Sequence, residues 1–199
     1  MASITHDASA TLPDEEMDAP ELMTLPDLFE VIDGDVVELA PMGLDEGLLA
    51  NELKRFLDAY LAQHPSGRAL TEILFDLSPA VNRSRRPDAA FISFDRWPKG
   101  KRLGRGIAMP ATPEIAAEVV SPGDGAAELL EKLHEYFSAG ARLVWIVYPG
   151  VEQIYVYDSV ATVRILGRAD RLDGGAVLPG FQLPLAELFG PAEGNEETA

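Results

Sequence analysis

Between Pro113 and Pro149 the sequence reads PEIAAEVVSPGDGAAELLEKLHEYFSAGARLVWIVYP. An apolar run, Ile115 to Val120, meets the breaker Ser121-Pro122-Gly123. A helical pattern follows, is closed by Gly140, and gives way to a second apolar run from Leu143 to Val147. Strand, helix, strand is the minimal reading, and both strands are apolar enough to be covered on two faces. Two polar residues interrupt that logic, Glu118 inside the first strand and Lys132 on the helix. A carboxylate in a buried strand is costly unless it meets a counter-charge or a metal.

The rest of the chain is read outward from this unit. Phe29–Ile32 and Val36–Leu39 flank Asp33-Gly34, a strong short hairpin signal. From Leu44 to about Gln63 apolar residues recur at helical spacing (Leu44, Leu48, Leu49, Leu53, Phe56, Leu57, Tyr60, Leu61), and His64-Pro65-Ser66-Gly67 stops the helix. Leu70–Leu77 reads as a strand, Ser78–Arg86 as a polar, basic loop, Asp88–Phe94 as a strand, and Asp95–Pro110 as a loop too polar for the core. A hairpin is expected over Ile154–Tyr157 and Thr162–Leu166, then a short strand and a turn within 176–189. The order predicts an α/β or α+β fold, a mixed β-sheet with helices on its faces, as a single domain over 21–189. Residues 1–20 and 190–199 are read as disordered acidic tails.

The absence of cysteine excludes a disulfide scaffold and a cysteine-ligated zinc, and is compatible with the cytoplasm. Three histidines make a histidine-built metal site a poor fit, and no apolar run is long enough to span a membrane. The net charge of −17 argues at first against a nucleic-acid partner, but it is unevenly spread. Residues 1–53 carry −14, residues 54–105 carry +6 and residues 106–199 carry −9, and eight of the 16 basic residues fall between Arg83 and Arg105. That region is either a solvated loop or a phosphate-contacting one.

Four polar residues are candidates for chemistry. Asp88 follows Pro87 at a strand start, where an Asp also commonly caps a turn. Glu118 shares a strand face with Ala116 and Val120, unless the strand is an edge that turns it to solvent. Lys132 lies on the flank of a helical stripe formed by Leu129, Leu130, Leu133 and Phe137. From there it either delivers its ammonium to a pocket or pairs with Glu128, four residues before it. Glu46 stands in the first turn of the long helix, where an acid also suits the helix dipole. Two or three carboxylates with one lysine are a parts list for magnesium-dependent phosphodiester hydrolysis.

The set Pro87-Asp88, then EVVSP from Glu118, then Lys132-x-x-x-Tyr136, then a glycine and an apolar strand ending in Pro149 resembles the Uma2 family of bacterial proteins. That family is grouped with the restriction-endonuclease-like nucleases of the PD-(D/E)xK type. The resemblance covers roughly Phe29 to Leu188. It implies Asp88 and Glu118 as ligands of a Mg or Mn ion, with the backbone carbonyl of Val119 as a further ligand. It also implies Lys132 as the catalytic lysine, moved onto the helix because the usual slot two residues after Glu118 is Val120. Glu46 falls where such proteins often carry a histidine or glutamate. The partner implied is nucleic acid, DNA first, held by the Arg83–Arg105 region. A homodimer through the Val144-Trp145-Ile146 strand and the late hairpin would suit a two-strand cut. The charge of −17 motivates a different class of function, a nuclease scaffold retained as a binding module.

Overall fold

The computed structural model describes residues 25–102 and 108–191. The expected acidic tails therefore lie outside the described residues, apart from Gly190 and Pro191. Strand β1 (Phe29–Ile32) and β2 (Asp35–Glu38) form the antiparallel hairpin. Asp33 and Gly34 both take positive φ, 54° and 92°, as a tight turn matched to the twist of its strands requires. Helix α1 (Leu44–Gln63) buries Ala50, Leu53, Leu57 and Leu61, one stripe at helical spacing, whereas Leu44 and Leu48 of the expected apolar set are exposed.

Six strands make the main sheet. They are β3 (Gly67–Thr71), β6 (Ala89–Ser93), β7 (Ile115–Val119), β8 (Leu143–Tyr148), β9 (Gln153–Ser159) and β10 (Thr162–Leu166), in the spatial order β10-β9-β8-β7-β6-β3. Only β7 and β8 run parallel; helix α2 (Ala126–Ser138) connects them. The other neighbours are antiparallel, so the sheet is mixed. Gly67 is required where β3 meets β6, since a Cβ there would fall 2.3 Å from the Ile92 carbonyl oxygen.

The strand period of two sorts the side chains onto two faces. Ile115, Ala117, Val119, Trp145 and Val147 pack with α1. This face is closed by β11 (Arg171–Gly174), β12 (Leu178–Pro184) and the short α3 (Leu185–Leu188). Ala116, Val144, Ile146, Ala90 and Ile92 pack with Leu133 and Tyr136 of α2. Gly140 ends α2 with φ 99°, the left-handed conformation that glycine supplies after a helix.

Several expectations need correction. Leu70–Leu77 is not one strand: Glu72 takes φ 52°, which breaks the extended chain, and β4 (Phe75–Asp76) joins a different sheet. The basic loop contains β5 (Arg83–Arg85), and the second sheet runs β2-β1-β5-β4. In the stretch expected to be too polar for the core, Trp97 and Met109 are buried. β11 pairs with β12 where a single short strand was expected. Val144, Trp145 and Ile146 lie buried in the middle of the sheet, so they cannot form a dimer contact; the late hairpin ends in the edge strand β10, with Val163 and Ile165 exposed.

Candidate active site

The register of β6 and β7 decides where the two carboxylates meet. Ala89 stands opposite Ala117, so one residue further along each antiparallel strand brings Asp88 opposite Glu118. Both follow the parity of Ala90 and Ala116 and point to the α2 face. The ladder opens there, and Asp88 Oδ2 accepts a hydrogen bond from the Val119 N–H at 2.6 Å. Glu118 is buried in a central strand, which rules out the solvent-facing edge. Tyr136 Oη donates to Glu118 Oε1 at 2.6 Å, and Lys132 Nζ donates to Oε2 at 3.3 Å.

Helix α2 is therefore turned further than its leucines suggest. Leu130 is exposed, while Lys132, Glu135 and Tyr136 face inward. Lys132 pairs with Glu118 rather than with Glu128. The negative charge of Glu118 raises the Lys132 pKa above the usual lysine value, against the effect of burial, with Glu30 and Glu128 adding to the rise. Lys132 is thus a fixed cation at neutral pH. Burial raises Asp88 to about 8, with the charge of Glu118 as the next cause, and burial also raises Glu118. Desolvation leads in both; the like charge that adds to it is Glu118 for Asp88 and Glu30 for Glu118, where Lys132 opposes the rise.

Beneath the site lies a second layer that the sequence reading missed. Glu30 of β1 is buried, with its Oε1 3.9 Å from Lys132 Nζ. Arg85 Nη1 donates to Glu30 Oε2 at 2.6 Å and Arg85 Nε to Glu135 Oε2 at 2.5 Å; Arg83 Nε reaches Glu135 Oε1 at 3.0 Å. The main-chain N–H of Arg86 also donates to Glu30 Oε1 at 2.9 Å. The available signal was a lone acid between Phe29 and Val31 together with arginines two apart at 83 and 85, which share one strand face.

The site opens into a cleft of about 350 Å³. Asp88, Glu118, Val119, Lys132 and Glu46 all line it, so the structure brings every sequence-predicted site residue to one place. Glu46 is at the rim, folded back over Gly43: a Cβ on Gly43 would meet the Glu46 carboxylate at 2.1 Å. Asp124, also in the cleft, accepts from the Ser121 N–H at 2.8 Å. Among the described residues, seven carboxylates and two cations, Arg86 and Lys132, line the cleft.

The donor set fits a hard divalent cation. Among the described residues no three acidic or histidine side chains cluster tightly enough to hold a metal by themselves. A half-buried Asp88 beside a buried Glu118, both lining an open cleft, nevertheless matches an ion that takes one or two carboxylates and keeps several waters.

The Arg83–Arg105 region is split by the fold. Arg83 and Arg85 are turned inward to carboxylates, and Arg96 pairs with Glu114. Lys99, Lys101 and Arg102 follow the end of β6 opposite to Asp88, and Lys99 and Lys101 lie over the rings of Phe94 and Trp97. Arg86 alone of the described members reaches the cleft.

A sequence model of the Uma2 family, described as "Putative restriction endonuclease", matches residues 19–186. The chain belongs to the Uma2 family. Solved structures that resemble this Uma2 chain include one described as a putative nuclease belonging to DUF820 from Anabaena variabilis ATCC 29413. The match has a TM-score of 0.70 and 16% identity, and covers 85% of this chain and 96% of that one. At that identity the likeness shows a shared fold, the mixed sheet with flanking helices. No curated protein matched. Among the described residues no helix is long and apolar enough to cross a membrane.

Proposed function

We propose that this Uma2 chain is a divalent-metal-dependent endonuclease that hydrolyses phosphodiester bonds in DNA and works in the cytoplasm. The observation that carries the reading is the convergence of Asp88, Glu118 and Lys132 from two neighbouring strands and a helix onto one cleft. Asp88, Glu118 and the Val119 carbonyl would hold Mg or Mn. When bound, the ion polarises a phosphoryl oxygen and makes a water more acidic.

The chain's own groups do the rest. Tyr136 fixes one oxygen of Glu118 and so orients its carboxylate. Lys132, kept charged by Glu118 and Glu30, neutralises negative charge that develops on the phosphoryl oxygens and aligns the attacking water. A raised pKa makes Lys132 a poor proton acceptor, so its role is electrostatic rather than that of a general base. Glu46, at the rim, contacts the water or the substrate from the α1 side.

The test is conversion of supercoiled plasmid to nicked and linear forms with Mg or Mn. Lys132→Met keeps the stem and removes the charge. Its rate is expected to fall by about 10²–10³, the scale for losing one preorganised donor, while calorimetry with Mn still shows binding. Wild-type rates in Lys132→Met would reject the role.

A second reading, a binding module with little hydrolysis, is favoured by the excess of carboxylates lining the cleft. Wild-type protein that binds Mn but leaves plasmid uncut in both metals would support it.

A further inference from the structure

Among the described residues Arg86 is the only cation in the cleft besides Lys132, and the two are held differently. Lys132 is paired with Glu118, whereas the Arg86 guanidinium forms no ion pair among the described residues. Its Nε donates to the Phe29 carbonyl at 3.2 Å and its Nη1 to the Glu72 carbonyl at 2.5 Å. It also lies over the Phe29 ring, 5.6 Å from the centroid. Nη2 has no protein acceptor among the described residues. Among the described residues the only buried side-chain polar atom without a partner is Trp145 Nε1, so Nη2 is not sealed in the protein and faces the cleft that Arg86 lines. Burial lowers the Arg86 pKa, and the charges of Glu72 and Glu30 only partly oppose this. A guanidinium starts so far above neutrality that the group still stays charged at neutral pH.

The backbone around it is fixed. The Arg86 N–H is tied to Glu30, and Pro87 favours an extended conformation for its predecessor, which sends Arg86 and Asp88 to the same side two residues apart. The carbonyl it holds at Glu72 belongs to a residue in left-handed backbone, φ 52°, where β3 leaves the sheet. A guanidinium pinned on one edge by carbonyls, with its other edge free, is set to receive an anionic oxygen with little loss of side-chain freedom.

We propose that Arg86 binds a backbone phosphate of the nucleic-acid strand next to the one that is cut. The inference rests on the nuclease reading and deepens it. In a cleft lined by carboxylates, an unpaired arginine gives the incoming strand a cationic contact that needs no metal. Lys132 then acts at the reacting phosphate and Arg86 at its neighbour.

Fluorescence anisotropy of a short labelled DNA duplex, with Ca in place of Mg to prevent cutting, measures the contact over a range of salt concentrations. Arg86→Gln is expected to bind about tenfold more weakly, and the slope of log K against log salt is expected to drop by about one. Arg86→Lys keeps the charge, so it should retain the slope while losing affinity. Unchanged affinity and slope in Arg86→Gln, with or without a lower Tm, would leave Arg86 as a structural staple and overturn the proposal. Plasmid cleavage by wild type in Mg is read separately. Binding without cleavage, with the slope change present, upholds the Arg86 contact and removes the nuclease reading. Cleavage with an unchanged slope removes Arg86 alone. A wild type that neither binds nor cuts removes both.

Discussion

Asp88→Asn is expected to stop cleavage and, above about pH 6, to make the protein more stable than wild type. The argument starts from the β6–β7 register, which sets Asp88 opposite Glu118 in a site partly closed to water. Burial and the Glu118 charge raise Asp88 from 3.8 in the unfolded chain to about 8 in the folded one. A carboxyl with a raised folded-state pKa holds its proton in the native state after the unfolded chain has released it. Its contribution to stability is therefore complete below about pH 4 and is lost as the pH rises through about 8. The slope for one proton is at most about 1.4 kcal/mol per pH unit. Asparagine carries no charge at any pH, and its Oδ1 can still accept from the Val119 N–H. The variant should match wild type near pH 4 and exceed it by about 2–4 kcal/mol at pH 7–8. In a chain of this size that is a Tm higher by roughly 5–10 °C. Added Mg should raise the Tm of wild type, since a ligand of the native state stabilises it, and leave Asp88→Asn unmoved. Plasmid cleavage should fall by at least about 10²-fold, the upper end of the loss from removing even an outer-shell metal partner. Melting curves of both proteins from pH 4 to 9, with and without Mg, make the check. A gap that does not widen with pH would show that Asp88 and Glu118 do not oppose each other in the folded chain.

The elements that were legible in the sequence are those in which local pattern and tertiary need agree. Asp33-Gly34 demanded a tight turn, and Leu53, Leu57 and Leu61 demanded a buried helical face; both are present. Glu118 was legible because one acid among Ile115, Ala116, Ala117, Val119 and Val120 has no local explanation. Glu30 was not, because an acid between Phe29 and Val31 in a short hairpin strand reads as the ordinary solvent side of an alternating pattern. It is buried because its strand lies beside Arg85 of β5 in the second sheet, on a face that meets Lys132 and Glu135 of α2. The rotation of α2 was hidden for a related reason. Leu130 suggested one buried stripe, but the attraction of Glu118 and Arg85 for Lys132 and Glu135 selects another. Long-range ion pairs leave no periodic trace, so the arginines at 83 and 85 looked like a solvated loop.

Arg85→Ala is expected to cost more stability than any other single change in this layer, about 3–5 kcal/mol, because it removes the cation that the buried carboxylates of Glu30 and Glu135 share. Arg85 is almost wholly buried, and so is Glu30. With alanine there, Glu30 keeps only the Arg86 N–H and the more distant Lys132, and Glu135 keeps only Arg83. Neither carboxylate can reach water to recover its solvation, and that stranded charge, more than the lost attraction, sets the size of the effect. Glu30 must then draw on Lys132, whose ammonium sits between Glu30 and Glu118. The cation that should serve the phosphate is drawn towards the interior, so cleavage per folded molecule should fall as well. Chemical denaturation of wild type, Arg85→Ala, Glu30→Gln and the double variant closes a thermodynamic cycle. If the buried pair governs the result, the double variant is less destabilised than the sum of its parts, since Glu30→Gln removes one of the charges that Arg85→Ala strands. A loss below about 1 kcal/mol for Arg85→Ala, the range of exposed pairs, would mean that water enters this layer, and the fixed position assigned to Lys132 would lose its support.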